Sequence, residues 1–306
     1  MKGQKIKKLT LTILIICIPA IMFGFKNVYM SEASKGKNQV KGFFWKATKG
    51  NSDIYLIATE HPSKPKTNYS NDTIKKIVGE TDILALEIDP TNEKLSKEIE
   101  LYQKNKFYLK EGELKDLLNK SEQAKLDKIL DTIGIDYTYV ANMNPSGFYS
   151  FISQIAVIKG NFTGQTLDEY LANIYRDNNK NIVSLENFES TAKFFEIDTN
   201  ELKKTINEWT INQVDEDVEY INKCIEAFNK GDKSYFETSS NKGYQEDKEL
   251  YNERITNRNT KIVNKIDLLA QNGKKCAVAV GTYHFFGKDN IQSKLEEKGY
   301  KITNLE

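Results

Sequence analysis

The chain has two histidines, His61 and His284, and the same short pattern precedes both. Each follows a run of apolar, β-type residues, then a small residue, a threonine and one variable residue, within segments 54–61 and 277–284. Such a run predicts a buried strand, so each imidazole is expected where a strand leaves its sheet, the edge at which open α/β sheets usually place their chemistry. Imidazole is the commonest protein ligand for zinc-like metals and the usual general base near neutral pH. The matched pair predicts one shared site, and a structural role for each histidine is the alternative.

Two glutamates follow other predicted strands. Glu87 comes after residues 83–86, four consecutive apolar residues that predict a strand buried on both faces. Glu186 lies near the end of a short predicted strand over residues 181–187. A carboxylate buried alone is costly, so each glutamate requires either a cationic partner or a metal ion.

The N-terminus has the pattern of an export signal. Residues 1–8 carry four lysines and residues 9–25 carry no charge, as the basic and apolar parts of a secretory signal do. Ser31 and Ala33 are small residues that suit cleavage after Ala33. Because the apolar run is only slightly shorter than the roughly 18–20 residues of a spanning helix, an uncleaved membrane anchor over 1–33 is the alternative. We expect an exported protein, either secreted or anchored at the cell surface.

Charge and cysteine content exclude two classes of protein. The chain has 44 basic and 43 acidic residues, which are interspersed rather than gathered into a basic stripe, so a nucleic-acid partner is not expected. Outside the N-terminal segment there are two cysteines, Cys224 and Cys276, too few for a disulfide scaffold. Two buried free thiols are favoured, with a single bridge as the alternative.

The rest of the chain predicts an α/β fold with a mixed central β-sheet flanked by helices. A polar lead-in covers residues 34–41 and a single domain covers residues 42–306. β-rich runs over residues 42–48 and 52–59, joined by a turn, predict a hairpin. A strand, a helix and a final strand over residues 275–305 predict the end of the domain.

Periodic apolar positions predict a helical insertion in the middle of the chain, at about residues 91–160. Its helices are expected over residues 93–102, 114–133 and 145–159. Long helices are predicted at about residues 199–270, in two stretches that cover residues 199–229 and 244–270. These two stretches are expected to lie across the site as a lid.

An ordered set of short motifs resembles the TraB/PrgY/GumN family, which is related to the Tiki metalloproteases and more distantly to erythromycin-esterase-like proteins. The motifs are Phe44-Trp45-Lys46, Ala58-Thr59-Glu60-His61, Leu86-Glu87-Ile88-Asp89, Thr166-Leu167-Asp168, Ser184-Leu185-Glu186, Arg258-Asn259 and Val280-Gly281-Thr282-Tyr283-His284 with Phe286-Gly287. The resemblance covers most of the chain after residue 42. It implies a shared α/β fold and a divalent-metal-dependent hydrolase acting on peptides, at a bacterial cell surface.

A metal site is the central functional expectation. We expect His61, His284 and at least one of Glu87 and Glu186 to bind one divalent ion. Mixed nitrogen and oxygen ligands suit manganese, cobalt, iron or zinc. Such an ion polarises the scissile carbonyl of a peptide or small-molecule substrate and lowers the pKa of bound water toward about 7.

Three residues are candidates for catalysis: Glu60, Glu87 and Arg258. Glu60 is the candidate for accepting the proton of the water, with a solvent-facing position as the alternative. The planar guanidinium of Arg258 suits a substrate carboxylate or a developing oxyanion, and without the resemblance Arg258 would be interpreted as a surface residue.

One departure from the family pattern supports a rival function. The first motif usually begins with glycine, and here Ala58 takes that place. If the position needed a left-handed backbone or a very close approach of the backbone, alanine would strain the turn by about 1 kcal/mol or more. A non-catalytic protein that binds and sequesters a peptide is therefore the alternative, and an esterase-like hydrolase is a third. No metalloprotease helix motif, serine nucleophile elbow or phosphate-binding glycine loop is present in the sequence.

Overall fold

The computed structural model describes residues 39–271, 273 and 275–305. Its centre is a six-stranded sheet in the order β4-β3-β5-β2-β1-β6. The strands are β1 (Phe44–Lys49), β2 (Ser52–Thr59), β3 (Ile83–Leu86), β4 (Asn181–Ser184), β5 (Cys276–Gly281) and β6 (Lys301–Asn304). β2, β3, β4 and β5 run parallel to one another, whereas β1 is antiparallel to both β2 and β6. The sheet is therefore mixed, as predicted.

The middle strands are the most apolar because both of their faces are covered. Every residue of β3 and β5 is buried, which explains their unbroken apolar sequences. The predicted hairpin is confirmed, since β1 and β2 pair from Phe44 with Ile57 to Lys49 with Ser52. Its turn contains Gly50 at φ +59°, a conformation that glycine adopts without strain.

Helices cover both faces of the sheet. Further helices lie beyond the edge at which the parallel strands β2 and β5 end. They are α1 (Asp72–Glu80), α2 (Glu93–Lys106), α3 (Lys120–Ile133), α4 (Pro145–Lys159), α5 (Leu167–Asp177), α6 (Phe188–Ala192), α7 (Thr199–Glu208), α8 (Gln213–Lys230), α9 (Lys233–Glu246), α10 (Lys248–Tyr251), α11 (Asn257–Gln271) and α12 (Ile291–Glu297). Leu167 and Leu171 of α5 and Ile262 and Ile266 of α11 recur at helical spacing and are buried in the same apolar cluster as the strands.

The predicted helical insertion lies between β3 and β4. Helix α4 has the predicted bounds, but the single helix predicted over residues 114–133 is interrupted. A short 3₁₀ helix covers Leu114–Leu117, and α3 starts separately at Lys120. The side chain of Asn119 accepts a bond from the backbone N–H of Glu122, and the Glu122 carboxylate accepts one from the backbone N–H of Asn119. This capping box sets the start of α3.

The two long helical stretches predicted over residues 199–270 are broken into shorter helices. The first stretch is interrupted between Glu208, where α7 ends, and Gln213, where α8 begins. Its end is close to the predicted one, because Gly231, with φ +66°, supplies the left-handed residue that stops α8. Asp247 caps α10 by accepting a bond from the Leu250 N–H, so α9 and α10 separate there. A turn of π-helix, Asn252–Thr256, then joins α10 to α11.

The described chain enters the domain at the edge where β2 ends. The backbone N–H of Val40 donates to the Asn68 carbonyl at 3.0 Å, and that of Lys41 donates to the Asn229 carbonyl at 3.1 Å. β1 then runs antiparallel to β2, so its first residue, Phe44, lies level with Ile57. The predicted signal or anchor over residues 1–33 lies outside the described residues.

Cys224 in α8 and Cys276 in β5 are both buried and free. Burial raises the pKa of each thiol to about 12. Among the helices of the described residues, none combines the length and the apolar character needed to cross a membrane.

Candidate functional site

The two histidine motifs lie side by side because their strands are parallel neighbours. β2 and β5 pair in a register that places Thr59 opposite Gly281, so both strands end at the same edge of the sheet. His61 is the second residue beyond the end of β2, and His284 lies in the single 3₁₀ turn that follows β5. The prediction that the two strand ends meet at one edge is confirmed.

Asn259 of α11 fixes the orientation of His284. The side-chain nitrogen of Asn259 donates to the backbone carbonyls of Asp289 and His284, at 2.9 and 3.3 Å. Its side-chain oxygen therefore faces Nδ1 of His284, at 2.5 Å, and can only accept. We assign the proton of the His284 ring to Nδ1, which leaves Nε2 with a free lone pair.

Glu87 faces that lone pair. Its Oε1 lies 3.8 Å from Nε2 of His284 and accepts a bond from the backbone N–H of Gly281 at 2.6 Å. Its Oε2 accepts from Nη2 of Arg258 at 2.5 Å. Burial alone would raise the pKa of Glu87, but the adjacent Arg258 guanidinium and the Gly281 bond outweigh burial and hold that pKa well below its usual range. Glu87 is therefore a carboxylate at neutral pH.

Arg258 joins the two predicted glutamates. Its Nε donates to Oε1 and Oε2 of Glu186 at 3.0 and 3.2 Å, and its Nη2 donates to Oε2 of Glu186 at 2.5 Å. The Arg258 side chain is 14% exposed, and that of Glu186 is 9% exposed. Both glutamates thus have the cationic partner that their sequence positions required, and Arg258 is a site residue, not a surface residue.

His61 faces Asp168, a residue at the start of α5. The distance from Nε2 of His61 to Oδ2 of Asp168 is 3.8 Å. The Oδ1 atom of Asp168 accepts from the Thr59 hydroxyl at 3.1 Å, whereas its buried Oδ2 atom has no hydrogen-bond partner among the described residues. Burial, helped by the charge of Glu87, raises the pKa of Asp168 to about 8.

Both imidazoles are neutral at physiological pH. Burial, together with the charge of Arg258, lowers the pKa of His61 to about 4 and that of His284 to about 3. The attraction of Glu87 opposes these effects without overcoming them. Neutral imidazole is the form that binds metal ions.

Glu60 is buried, so the alternative that it faces solvent is wrong. It is 5% exposed, and its carboxyl group lies close to Thr282 of the second motif. Burial, with a smaller contribution from the charge of Asp168, raises the pKa of Glu60 to about 8, although the Thr282 hydroxyl acts to lower it. Glu60 is thus mostly a neutral acid at pH 7.

Ala58 does not strain the first motif. It lies inside β2, fully buried, and it is not among the described residues with a left-handed backbone. Its counterpart in the second motif, Gly281, has φ −53°, and a Cβ there would lie 3.1 Å from Oε1 of Glu87. The second motif therefore needs a small residue because Glu87 packs against it, whereas Ala58 carries no strain from a left-handed backbone.

No group of three or more His, Cys, Asp or Glu side chains in the described part of the chain is arranged to hold a metal ion. The donors instead form two facing pairs, His284 with Glu87 and His61 with Asp168, each separated by 3.8 Å. The two imidazoles are neutral, and Oδ2 of Asp168 is buried without a hydrogen bond from any described residue. This donor chemistry fits a divalent cation.

Sequence reasoning missed two residues of the site as functional groups. Asp168 and Asn259 both occur in the motifs that carry the family resemblance, but no role was expected for either. Asp168 follows Thr166, which caps α5 through the N–H of Glu169, so its position in a first helical turn explains an aspartate without invoking a site. Only the packing of α5 against β3 and β4 brings it to the sheet edge.

The fold and the site define an α/β protein with a charged, largely buried site at the carboxyl edge of four parallel strands. The chain belongs to the TraB/PrgY/gumN family, whose sequence model matches residues 43–304. Neither the comparison with curated proteins nor that with solved structures gave a match.

Proposed function

We propose that this protein is a divalent-metal-dependent hydrolase that cleaves peptides outside the cytoplasm, as the relation to the Tiki metalloproteases implies. The observation that carries the proposal is the arrangement of Asn259, His284 and Glu87. A histidine that binds a metal usually donates its other ring N–H to a fixed acceptor, and Asn259 is such an acceptor for His284.

His61, His284 and Glu87 would hold the ion, with Asp168 as the further ligand whose oxygen is available. Bound there, a divalent cation would supply a polarised substrate carbonyl and an acidified water at neutral pH. Its identity among manganese, cobalt, iron and zinc stays open. The prediction that Glu186 is a ligand also stays a prediction, because both of its oxygens accept bonds from Arg258. We propose that Glu186 positions Arg258.

Side chains near the proposed metal site would orient the substrate and exchange a proton. Arg258 presents a guanidinium fixed by two carboxylates, which suits it to orient a substrate carbonyl or to stabilise negative charge on its oxygen. Glu60, with a pKa near 8, is suited to exchange a proton near neutral pH. Glu87 is a poor proton acceptor because its pKa is held low.

Metal content and peptide cleavage test the proposal on one set of proteins. Wild type, His61→Ala and His284→Ala are measured for bound divalent ion and for cleavage of a mixed peptide pool, with and without EDTA. The matched control is Asp53→Asn, because Asp53 pairs with Lys46 near the far end of β2. We expect about one ion per chain in wild type and in the control, none in the histidine variants, and cleavage that follows metal content.

A protein that binds peptide without cleaving it, with or without metal, would overturn the hydrolase and favour the sequestering alternative. The support for that alternative from Ala58 is weaker than the sequence suggested, since Ala58 has no left-handed backbone. Cleavage of esters in preference to peptides would identify the small-molecule hydrolase. Export is part of the proposal, and cell fractionation tests it by separating secreted from membrane-bound protein.

A further inference from the structure

Arg254 is a partly buried arginine whose charge is not matched. Its Nε is enclosed and has no hydrogen-bond partner, and no carboxylate of the described residues lies within ion-pair distance of its guanidinium. Its guanidinium carbon lies 5.6 Å from the centroid of the Phe194 ring, a cation–π contact. Burial lowers the pKa of Arg254, which shows that the environment disfavours its charge.

The position of Arg254 connects it to the site. It lies in the π-helical turn Asn252–Thr256, one turn before Arg258, and its backbone carbonyl accepts a bond from Nη1 of Arg258 at 3.4 Å. The guanidinium carbon of Arg258 is also 5.6 Å from the Phe194 centroid. The two guanidinium carbons are therefore separated by at most twice that distance.

The charges around the two arginines differ. Arg258 is paired with both Glu87 and Glu186. Arg254 has only the longer-range attraction of Glu253, Glu201 and any ionised Tyr149, and the charge of Arg258 opposes it. A partly buried guanidinium without a hydrogen-bonded anion is costly, whereas its planar fork of donors binds a carboxylate strongly.

We propose that Arg254 binds the free C-terminal carboxylate of the peptide substrate. This inference rests on the proposed function for the nature of the substrate, but not for the binding itself. A residue of extended peptide spans about 3.3–3.6 Å, so the two arginines are separated by the length of about three residues at most. The bond that is cleaved would then lie within about three residues of the C-terminus, and the protein would act on the carboxyl ends of peptides.

Calorimetric binding of three matched hexapeptide pools tests the proposal, with full-length protein in EDTA and again with added Mn²⁺. One pool has free C-terminal carboxylates, one has C-terminal amides, and one has C-terminal amides and an internal glutamate. The variants are Arg254→Gln and Arg254→Lys. The matched control is Arg176→Gln, since Arg176 is an arginine of α5 that already has a partner, Asp89.

We expect wild type to bind free acids about tenfold more tightly than either amide pool, as one charge-assisted contact would give. Arg254→Gln should reduce the preference to less than about twofold, Arg254→Lys should keep part of it, and Arg176→Gln should keep all of it. The melting temperature of ligand-free Arg254→Gln should equal or exceed that of wild type, because an unpaired charge has been removed. A purely structural role for Arg254 predicts the opposite sign.

The proposal is overturned if wild type shows no preference for free acids, if the preference survives in Arg254→Gln, or if the pool with internal glutamate binds as tightly as the free acids. Inorganic phosphate that displaces the free acids at equal concentration also overturns the carboxylate assignment. Binding in EDTA does not depend on turnover, so the preference can persist when metal binding and cleavage are absent. Failure of the hydrolase and failure of this inference are therefore distinguishable.

Discussion

Asn259 holds the imidazole of His284 by its Nδ1, and backbone carbonyls on two sides hold Asn259 in turn. Loss of this support should weaken metal binding. We expect Asn259→Ala to reduce metal affinity by about 10–100-fold, the range found when an outer partner of a ligating histidine is removed. Competition titration against a chelator measures the affinity. An unchanged affinity would show that His284 is not a ligand or that its orientation is set elsewhere.

The ion-pair cluster around Arg258 should dominate the stability of the site. Arg258→Gln leaves Glu87 and Glu186 without their buried partner and should cost about 3–5 kcal/mol in the free energy of unfolding. Glu186→Gln combined with Arg258→Gln should cost less than the sum of the two single changes, since the residues interact directly. Urea unfolding gives these values.

A surface ion pair provides the control for that experiment. Lys223 pairs with Glu219 on the exposed face of α8, and Lys223→Gln should change stability by less than about 0.5 kcal/mol. If Arg258→Gln also changed the free energy of unfolding by less than about 0.5 kcal/mol, that result would argue against a buried ion-pair cluster.

Glu60 should make the metal-free protein less stable as pH rises. Its pKa is about 8 in the folded protein and about 4.5 when unfolded, so between these values the folded state binds more protons. The contribution is favourable below pH 4.5 and is lost as pH rises through 8. We expect Glu60→Gln to raise the melting temperature relative to wild type more at pH 8.5 than at pH 5.

That comparison is made in EDTA, with Glu249→Gln as the matched control because Glu249 is exposed on α10. The difference in melting temperature between wild type and Glu60→Gln reports Glu60 alone, because Asp168, whose raised pKa acts in the same direction, is present in both proteins. The two histidines, whose contributions between pH 4 and 6.5 have the opposite sign, cancel for the same reason. An equal effect of Glu60→Gln at both pH values would contradict the buried, protonated state.

The small residues of the two motifs should respond differently to substitution. Gly281→Ala places a Cβ 3.1 Å from Oε1 of Glu87, so Glu87 must move, and we expect lower metal affinity and a loss of about 1 kcal/mol. Ala58→Gly should leave metal affinity unchanged and cost about 0.5–1 kcal/mol, the usual effect of glycine inside a strand. Equal losses of affinity in both variants would contradict the different roles of the two positions.

Several elements of the fold could be predicted from local pattern alone. The buried strands β3 and β5, the hairpin of β1 and β2 and the bounds of α4 all have strong local signals. The breaks near Asn119 and Asp247 were missed because a capping side chain decides each of them. The apolar periodicity continues on both sides of such a break and hides it.

The site was predictable to the extent that parallel strands end at one edge. The convergence of His61, His284 and Glu87 follows from strand order, whereas the pairing of Arg258 with two glutamates depends on how α11 packs against the sheet. Asp168 and Asn259 could not be recognised as functional, because the same residue types are common at helix caps and on helix surfaces. Their burial, at 8% and 0% exposure, distinguishes them only in three dimensions.

The point at which the chain enters the domain also sets how the site would face a membrane. Gln39 pairs with Asn68 in the loop that follows His61, so the described chain begins on the same side of the sheet as the site. If residues 1–33 anchor the protein, attachment at this edge would keep the site near the lipid surface, where short peptides would reach it more easily than large extracellular proteins.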